Sequence, residues 1–276
     1  MCIIRRDNPN SAPPRNAKYS ENRGRMMLFS LAKNDFKAKY AGSALGAVWA
    51  FINPIITILI YWFVFQVAFG NGDVGGVPYV IWLVSGIIPW FFISEAWGGA
   101  TGALIDYSYL VKKVVFRVEL LPKVRVLSAL FVHLFFTALT FIITYAYGLG
   151  ERLIQLQIVY YMFAAYMLSL ALGTVSAVLT AFIRDVSNMV GVLVQFGFWL
   201  TPVFWNINDI PQKLHIIFKL NPIYYVTEGY RDTFVYGRRF WEKPWLTLYF
   251  WAVTAALLLL GKFLFKKLRP HLADLI

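Results

Sequence analysis

The residue types that most often carry catalysis are sparse in this sequence. The three histidines, His133, His215 and His271, lie in different segments and lack the spacing of a metal site. The single cysteine cannot form a disulfide within the chain or a multi-cysteine metal site. The sequence contains neither a Gly-x4-Gly-Lys-Ser/Thr phosphate-binding loop nor a Gly-x-Ser-x-Gly nucleophile motif. We therefore predict that the chain has no catalytic residues, binds no metal or cofactor, and does not hydrolyse ATP by itself.

Two titratable side chains lie within long apolar stretches, where they could serve transport. Glu95 is the clear acid among them, and an acid at the bilayer centre costs about 2.5–3.5 kcal/mol. Such a residue either faces a transport path or makes a structural hydrogen bond to a neighbouring helix, and the sequence leaves both possibilities open. We expect His133 to form a hydrogen bond between helices rather than to act as a ligand.

The composition is that of an integral membrane protein. Apolar residues make up 59% of the chain and charged residues 14%, against about 45–50% and 25% in soluble proteins. The mean hydropathy is +0.60. Because so few charges could not cover the surface of a soluble domain, the composition excludes a soluble enzyme. The net charge of +12 is not carried by a soluble basic domain, so we predict anionic lipids as partners and no nucleic acid.

Six apolar segments are long enough to cross a bilayer, which takes about 20 residues per helix. They run approximately over Ala44–Phe69, Val77–Leu104, Val126–Leu149, Leu153–Ile183, Val186–Asn206 and Pro244–Phe265. Lys and Arg number nine before the first span, five between the second and third spans and four in the C-terminal tail, whereas six lie in the long segment before the last span, where the rule is weaker. Because these residues accumulate on the cytoplasmic side, we predict an all-α, multi-pass protein of the plasma membrane with both termini in the cytoplasm.

The segment before the first span predicts an amphipathic helix at the membrane interface. Its apolar and basic residues recur at helical spacing on separate faces. The apolar set is Phe29, Ala32, Phe36 and Tyr40, and the basic pair is Lys33 and Lys37. Such a helix either anchors the chain or also contacts a cytoplasmic partner. We predict a disordered N-terminus (1–23), this interface helix (24–43), a six-helix transmembrane domain (44–266) and a cytoplasmic tail (267–276).

Two further segments do not read as simple spans. The loop Asp106–Pro122 mixes large apolar residues with Lys and Arg, which favours docking to a protein over binding of lipid headgroups alone. The segment Thr201–Tyr236 is apolar but interrupted by Pro202, Pro211 and Pro222, which disfavour helix at the residues before them. Irregular backbone at membrane depth must be buried in protein or line a water-filled path. This pattern predicts a short re-entrant helical pair that acts as a gate.

Taken together, these segments resemble the transmembrane subunit of ABC exporters that move lipid-linked polyglycans, namely capsule, O-antigen and wall teichoic acid. The matching stretches are Lys39–Trp49 with Asn53-Pro54, Leu110–Phe116 ending at Leu121-Pro122, Arg184-Asp185, and Asn221–Arg231. Within that family, Gly76–Tyr79, Trp82 and Trp90–Phe92 are most similar to wall-teichoic-acid permeases.

The resemblance implies a two-fold dimer of this chain with two separate ATPase subunits, which bind ATP and Mg. It places the N-terminal interface helix on the ATPase. It also assigns ATPase coupling to the loop residues Tyr107, Leu110, Val111, Lys112, Lys113, Val114 and Phe116. The gate residues that it implies are Asn221, Pro222, Tyr225, Glu228 and Arg231.

The abundance of aromatic residues predicts a translocation path on which flat rings contact sugar or polyol faces. Our candidates for this path are Tyr61, Phe65, Trp90, Glu95 and Trp199. The predicted function is the permease subunit of an ATP-driven exporter of undecaprenyl-linked polymer, with wall teichoic acid as the main expectation. The alternative is an O-antigen or capsular polysaccharide exporter, and a second alternative is an ATP-independent lipid scramblase or channel.

Overall fold

The computed structural model describes residues 15–70, 72–111, 117–149 and 152–275. Within these ranges the regular structure is helical, apart from an isolated bridge between Val74 and Val77, which agrees with the predicted all-α class. The α-helices are α1 (Arg15–Lys39), α2 (Trp49–Trp62), α3 (Tyr79–Asp106), α4 (Ser108–Val111), α5 (Leu120–Ala146), α6 (Arg152–Gln155), α7 (Ile158–Phe182), α8 (Asp185–Leu200), α9 (His215–Lys219), α10 (Pro222–Arg231) and α11 (Pro244–Leu275). Two π-helical turns, Phe63–Ala68 and Asp232–Tyr236, continue α2 and α10.

Five helical segments of the described chain are long and apolar enough to cross a membrane, as expected of a multi-pass membrane protein. They are Gly46–Ala68, Tyr79–Asp106, Leu120–Ala146, Leu153–Phe182 and Pro244–Pro270. The sixth predicted span, Val186–Asn206, corresponds to α8, which has 16 residues and ends at Leu200. The helix stops there because Pro202 disfavours a helical conformation at Thr201, which is extended at φ −82° and ψ 131°. At about 1.5 Å per residue, α8 is shorter than a hydrocarbon core of about 30 Å.

The helices α7 and α11 run in the same direction. The Trp251 indole donates a hydrogen bond of 2.8 Å to Tyr160 near the start of both helices. About one turn before the C-terminal end of α7 and about three turns before that of α11, Val178 and Phe265 belong to the same buried apolar cluster. The chain must therefore return to the opposite end of the bundle between Phe182 and Pro244, and α8 lies on this return.

The helix α3 forms the centre of the bundle. Of the 18 most apolar consecutive residues of α3, 67% are buried, whereas in the segment Gly46–Ala68 only 6% of the corresponding residues are buried. Small residues allow α3 and α7 to approach closely, since a Cβ added at Gly173 would lie 2.5 Å from the Cβ of Ala100. The segment containing α2 therefore lies at the periphery, with most of its apolar surface uncovered within this chain.

The N-terminal and C-terminal boundaries differ from the prediction. The interface helix begins at Arg15 instead of residue 24, because the sequence after Pro14 is compatible with a helix and Gly24 does not interrupt it. At the other end, α11 continues to Leu275, so the predicted tail extends the last helix through Pro270. Residues 1–14 of the predicted disordered N-terminus lie outside the described residues.

Candidate coupling and translocation site

Three helices meet around a buried acid at the end of the bundle that carries α1. Asp35 of α1 is 5% exposed, and its Oδ1 lies 3.1 Å from Nη1 of Arg125 in α5. Nη2 of the same guanidinium lies 2.5 Å from Oδ2 of Asp106, the last residue of α3. Tyr107 donates a hydrogen bond to Asp35, and its ring centroid lies 5.1 Å from Cζ of Arg125. Burial raises the pKa of Tyr107, which keeps its hydroxyl a donor. We call these four residues the charge network.

The apolar face of α1 packs on α5. The rings of Phe29 and Phe36 lie 5.8 and 5.9 Å from the ring of Phe131, and Ala32 between them is fully buried. Tyr40 is half-buried, with its ring 5.5 Å from that of Phe36. The basic residues, Lys33 and Lys37, are exposed. The apolar and basic residues therefore lie on different sides of α1, and α5 covers the apolar side at Ala32 and in part at Phe36, whereas Phe29 is 55% exposed.

Glu95 lies near the same end of the bundle as α1. Its carboxylate forms an ion pair with Lys39, the last residue of α1, and both side chains are partly exposed. It also borders a small apolar cavity next to His133. This ion pair joins the end of α1 to α3.

The predicted coupling loop is described at its beginning and its end. Leu110 is half-buried, and Val111 is buried at 6% exposure in a cluster with Val118 and Leu121. Val111, although predicted to couple to the ATPase, therefore packs inside this chain. Tyr109 is 58% exposed. The remaining predicted coupling residues, Lys112, Lys113, Val114 and Phe116, lie outside the described residues.

Within the predicted re-entrant segment, Thr201–Tyr236, the helix α10 has a capped start. Oδ1 of Asn221 accepts a hydrogen bond from the Ile223 amide at 3.0 Å, and Pro222 occupies the first helical position of α10. Nδ2 of Asn221 donates to Oγ1 of Thr201 at 2.9 Å. The predicted gate residue Asn221 thus fixes the start of α10 to the end of α8.

Arg231 is a predicted gate residue that is almost completely buried, at 1% exposure. Its Nη1 and Nη2 donate hydrogen bonds of 2.5 Å to the carbonyl oxygens of Pro202 and Val203. Nη1 lies 3.5 Å from the Glu228 carboxylate, one helical turn earlier, as the i,i+3 spacing allows. These contacts give the guanidinium both a counter-charge and hydrogen-bond acceptors, which a buried charge requires.

One side of α10 packs on α7 and α11 through Tyr225. Tyr225 is buried, its ring lies 4.6 Å from that of Phe250, and its hydroxyl contacts those of Tyr160 (2.8 Å) and Thr247 (3.1 Å). On another side of α10, the Tyr230 hydroxyl lies 2.6 Å from Nε2 of His133. The prediction that His133 forms a hydrogen bond between helices is therefore confirmed.

A buried ion pair closes the re-entrant segment. Asp232 is 1% exposed and pairs with Lys243, which precedes α11. Burial raises the pKa of Asp232 to about 6, although Lys243 acts in the opposite direction. The free energy of this contact therefore depends on pH in the range where the carboxyl titrates.

Four of the predicted path residues converge on one aromatic cluster. Tyr61 and Trp90 both contact the ring of Phe198, at 5.6 Å. Phe65 stacks on Phe204 at 4.9 Å, and Trp199 meets Phe204 edge-on at 4.8 Å. We call these six residues the aromatic cluster; it joins α2, α3, α8 and the segment after α8. Trp199 is 56% exposed, whereas Trp90 and Phe204 are 5% and 7% exposed, so only part of the cluster is accessible in the single chain.

Sequence reasoning missed Asp35, Arg125, Phe198 and Phe204. A signal for Asp35 was present, since it adjoins the apolar face of α1 and is the acid of a basic segment. Arg125 and the two phenylalanines gave no comparable signal, because neither their spacing nor their neighbours separates them from other residues of the same type.

Comparison with known proteins agrees with this architecture. The family model described as ABC-2 type transporter matches residues 27–235. The chain is 27% identical over 254 residues to the O-antigen export system permease protein RfbA of Myxococcus xanthus, covering 91% of this chain and 96% of that protein. Two proteins of the same name from Klebsiella pneumoniae are 24% and 23% identical, each covering 91% of this chain and 95% of the relative.

These comparisons favour the alternative substrate prediction over the main one. The three relatives are described as O-antigen export permeases, so they support the alternative prediction and give no support to wall teichoic acid. The family match runs from within α1 to the π-helical turn after α10. It therefore contains the charge network, the aromatic cluster and nearly all of the re-entrant segment. This multi-pass membrane protein belongs to the ABC-2 type transporter family.

Proposed function

We propose that the chain is the permease subunit of an ATP-driven exporter of lipid-linked polysaccharide of the O-antigen class. The observation that carries this proposal is the similarity to three O-antigen export permeases over 91% of the chain. A separate ABC ATPase subunit is the partner kind of this family, and the sequence holds no phosphate-binding loop of its own. The path is thus formed by this chain and the energy comes from the partner.

The charge network transmits the movement of the ATPase subunits to the helical bundle. Arg125 holds α1, the end of α3 and the start of α5 in one unit, and Tyr107 places the beginning of the predicted coupling loop in that unit. In the proposed mechanism two ATPase subunits dock at this end, which is cytoplasmic together with both termini. A displacement of the loop then moves α3, which is the central helix of the bundle.

The sparsely covered helices supply the path between two copies of the chain. Among the described residues of α8, only Val190 is buried. Four apolar side chains of this helix are more than half exposed, namely Met189, Val192, Leu193 and Phe196. In the proposed two-fold dimer these faces meet, and the aromatic cluster borders the passage. Flat aromatic rings can contact sugar faces without a fixed binding geometry, which suits a long polymer that must keep moving.

The proposed topology has six crossings. Because α7 and α11 are parallel, one further crossing lies between them, and α8 with the extended residues after Leu200 provides it. The remaining residues of the re-entrant segment, including α9 and α10, then lie on the side opposite α1 and close the path.

Export in cells tests the proposal. Loss of the chain should remove polysaccharide from the cell surface and leave lipid-linked polymer inside, and the wild-type gene should restore export. Phe204→Ala should lower export at least threefold at normal expression, because Phe204 contacts both Phe65 and Trp199. Phe263→Ala, at an exposed position of α11, is the matched control. Export that continues without the ATPase, or lipid movement by the purified chain in vesicles without nucleotide, would instead support the scramblase alternative.

A further inference from the structure

A cavity of about 620 Å³ lies between the re-entrant segment and the start of α11. Its walls come from α9, α10, the turn Phe240–Glu242 and the first two turns of α11. This end of α11 is opposite the end that carries α1, because the C-terminal part of α11 packs with the loop after α3. The cavity is thus distinct from the charge network and the aromatic cluster.

The cavity lies at the level where a lipid headgroup would meet the protein. Pro244 begins both α11 and the last candidate span, and Trp245 follows it at 82% exposure. Ile216 of α9 is 61% exposed beside the same opening. Exposed tryptophan at the end of a span is typical of the boundary between headgroups and hydrocarbon. The apolar part of the opening therefore faces acyl chains.

Some of the charged side chains that line the cavity have a partner of opposite charge, and others do not. Lys243 pairs with Asp232, and Glu228 pairs with Arg231. Glu242 accepts a hydrogen bond from the backbone amide of Arg239 at 3.1 Å. Among the described residues, Lys219 and Arg238 have no acidic side chain within ion-pair distance. His215, which also lines the cavity, has its ring nitrogen 3.1 Å from the Ile210 carbonyl oxygen.

This combination selects for an anionic amphiphile. Two cations without acidic partners attract a phosphate, and Arg238 presents the planar donor group that suits phosphate oxygens. The apolar rim accommodates hydrocarbon, which neither a free sugar nor inorganic phosphate would fill. We propose that this cavity binds the phosphate headgroup of a lipid in the leaflet opposite α1, with Lys219 and Arg238 as the residues that contact the phosphate.

Two lipids could supply this headgroup, an anionic phospholipid of the membrane or the isoprenyl phosphate carrier of the exported polymer. The second source rests on the proposed function, whereas the first does not. Native mass spectrometry of the purified full-length chain distinguishes them, with phosphatidylglycerol, phosphatidylcholine, undecaprenyl phosphate and inorganic phosphate as separate probes. Retention of phosphatidylglycerol above phosphatidylcholine identifies a membrane lipid, and selective retention of undecaprenyl phosphate identifies the carrier.

The double variant Lys219→Gln/Arg238→Gln should retain at least fivefold less of the anionic lipid that binds. Lys219→Arg/Arg238→Lys should retain it, because the charges are kept. Lys213→Gln removes an exposed cation that does not line the cavity and is the matched control. Unchanged lipid retention by the charge-removing double variant would overturn the proposal, as would inorganic phosphate that competes as well as the lipid does. Equal retention of phosphatidylcholine would overturn it too. An unaltered melting temperature of the double variant shows that lost retention is not lost folding.

Discussion

The guanidinium carbon of Arg231 lies 3.5 Å from the ring centroid of Trp82, so that a buried cation of α10 stacks on the central helix α3. The same guanidinium donates to the carbonyl oxygens of Pro202 and Val203, at the point where α8 has ended. The side chain of Arg231 therefore joins α3, α10 and the irregular residues that follow the end of α8. This contact connects the centre of the bundle to the proposed gate.

Replacing Arg231 should destabilise the protein strongly. In Arg231→Met the two carbonyl oxygens and the Glu228 carboxylate lose their partner inside the protein. Removing one partner of a buried charge pair lowers the free energy of unfolding by about 3–5 kcal/mol. We expect a clear fall in the melting temperature in detergent, with Arg239→Met, an exposed position, as the control. A melting temperature equal to that of the wild type would show that Arg231 does not hold the segment.

Gly229 is required by the close approach of α10 to α7. A Cβ at this position would lie 2.0 Å from the ring of Tyr161, which is itself buried. Overpacking of this kind costs about 1–3 kcal/mol, so Gly229→Ala should lower stability and impair export. Gly98→Ala in α3 is the control, since its Cβ would meet no atom within 4 Å and the helix should gain up to about 1 kcal/mol. Similar melting temperatures for the two variants would argue against this packing.

The two ion pairs that hold α1 should differ in strength. Asp35 and Arg125 are 4% and 20% exposed, whereas Lys39 and Glu95 are 42% and 38% exposed. A double-mutant cycle with Asp35→Asn and Arg125→Gln should give a coupling of about 1–3 kcal/mol in thermal unfolding. The matching cycle with Lys39→Gln and Glu95→Gln should give less than about 1 kcal/mol, because solvent screens the exposed pair.

The same variants test coupling. If the charge network transmits the power stroke, Asp35→Asn in the assembled exporter should hydrolyse ATP at a rate near that of the wild type but export several-fold less polymer. The readout is the ratio of export to hydrolysis. A ratio that stays at the wild-type value would limit the network to a role in stability.

Two residues at the start of the loop after α3 distinguish a role in docking the ATPase from a role in folding of the permease. Tyr109 is 58% exposed, so Tyr109→Asp should reduce the ATPase that copurifies with the permease while the permease keeps its melting temperature. Val111 is buried, so Val111→Asp should destabilise the permease itself by about 2 kcal/mol or more. Full partner stoichiometry in Tyr109→Asp would place the docking surface elsewhere.

Asp232 predicts a specific pH dependence. Its pKa is about 6 in the folded protein, above the ordinary value of 3.8, so the folded state binds a proton more readily than the unfolded state. Stability should therefore rise as the pH falls through about 6, and this gain should be complete below the unfolded pKa. Melting temperatures between pH 5 and pH 8 should show this rise in the wild type and not in Asp232→Asn. Asp73→Asn, at an exposed position, should keep the wild-type profile.

The sequence by itself determined the membrane class and most of the spans. Uninterrupted apolar length is a property of consecutive residues, so five predicted spans coincide with long helices. The amphipathic spacing of Phe29, Ala32 and Phe36 likewise predicted the face of α1 that packs on α5. Within the fifth predicted span the helix ends at Leu200, although the segment stays apolar up to Asn206, because Pro202 disfavours a helical conformation at Thr201.

Only the tertiary structure decided which residues of similar type act together. Glu95 and the aromatic residues looked like members of one path, yet Glu95 pairs with Lys39, whereas the rings gather around Phe198 and Phe204. The i,i+3 spacing allows Arg231 to pair with Glu228, but only the fold buries the guanidinium against Trp82. The physical reason is that periodicity along a helix sets which residues share a face, whereas the packing of helices distant in the sequence sets what that face meets.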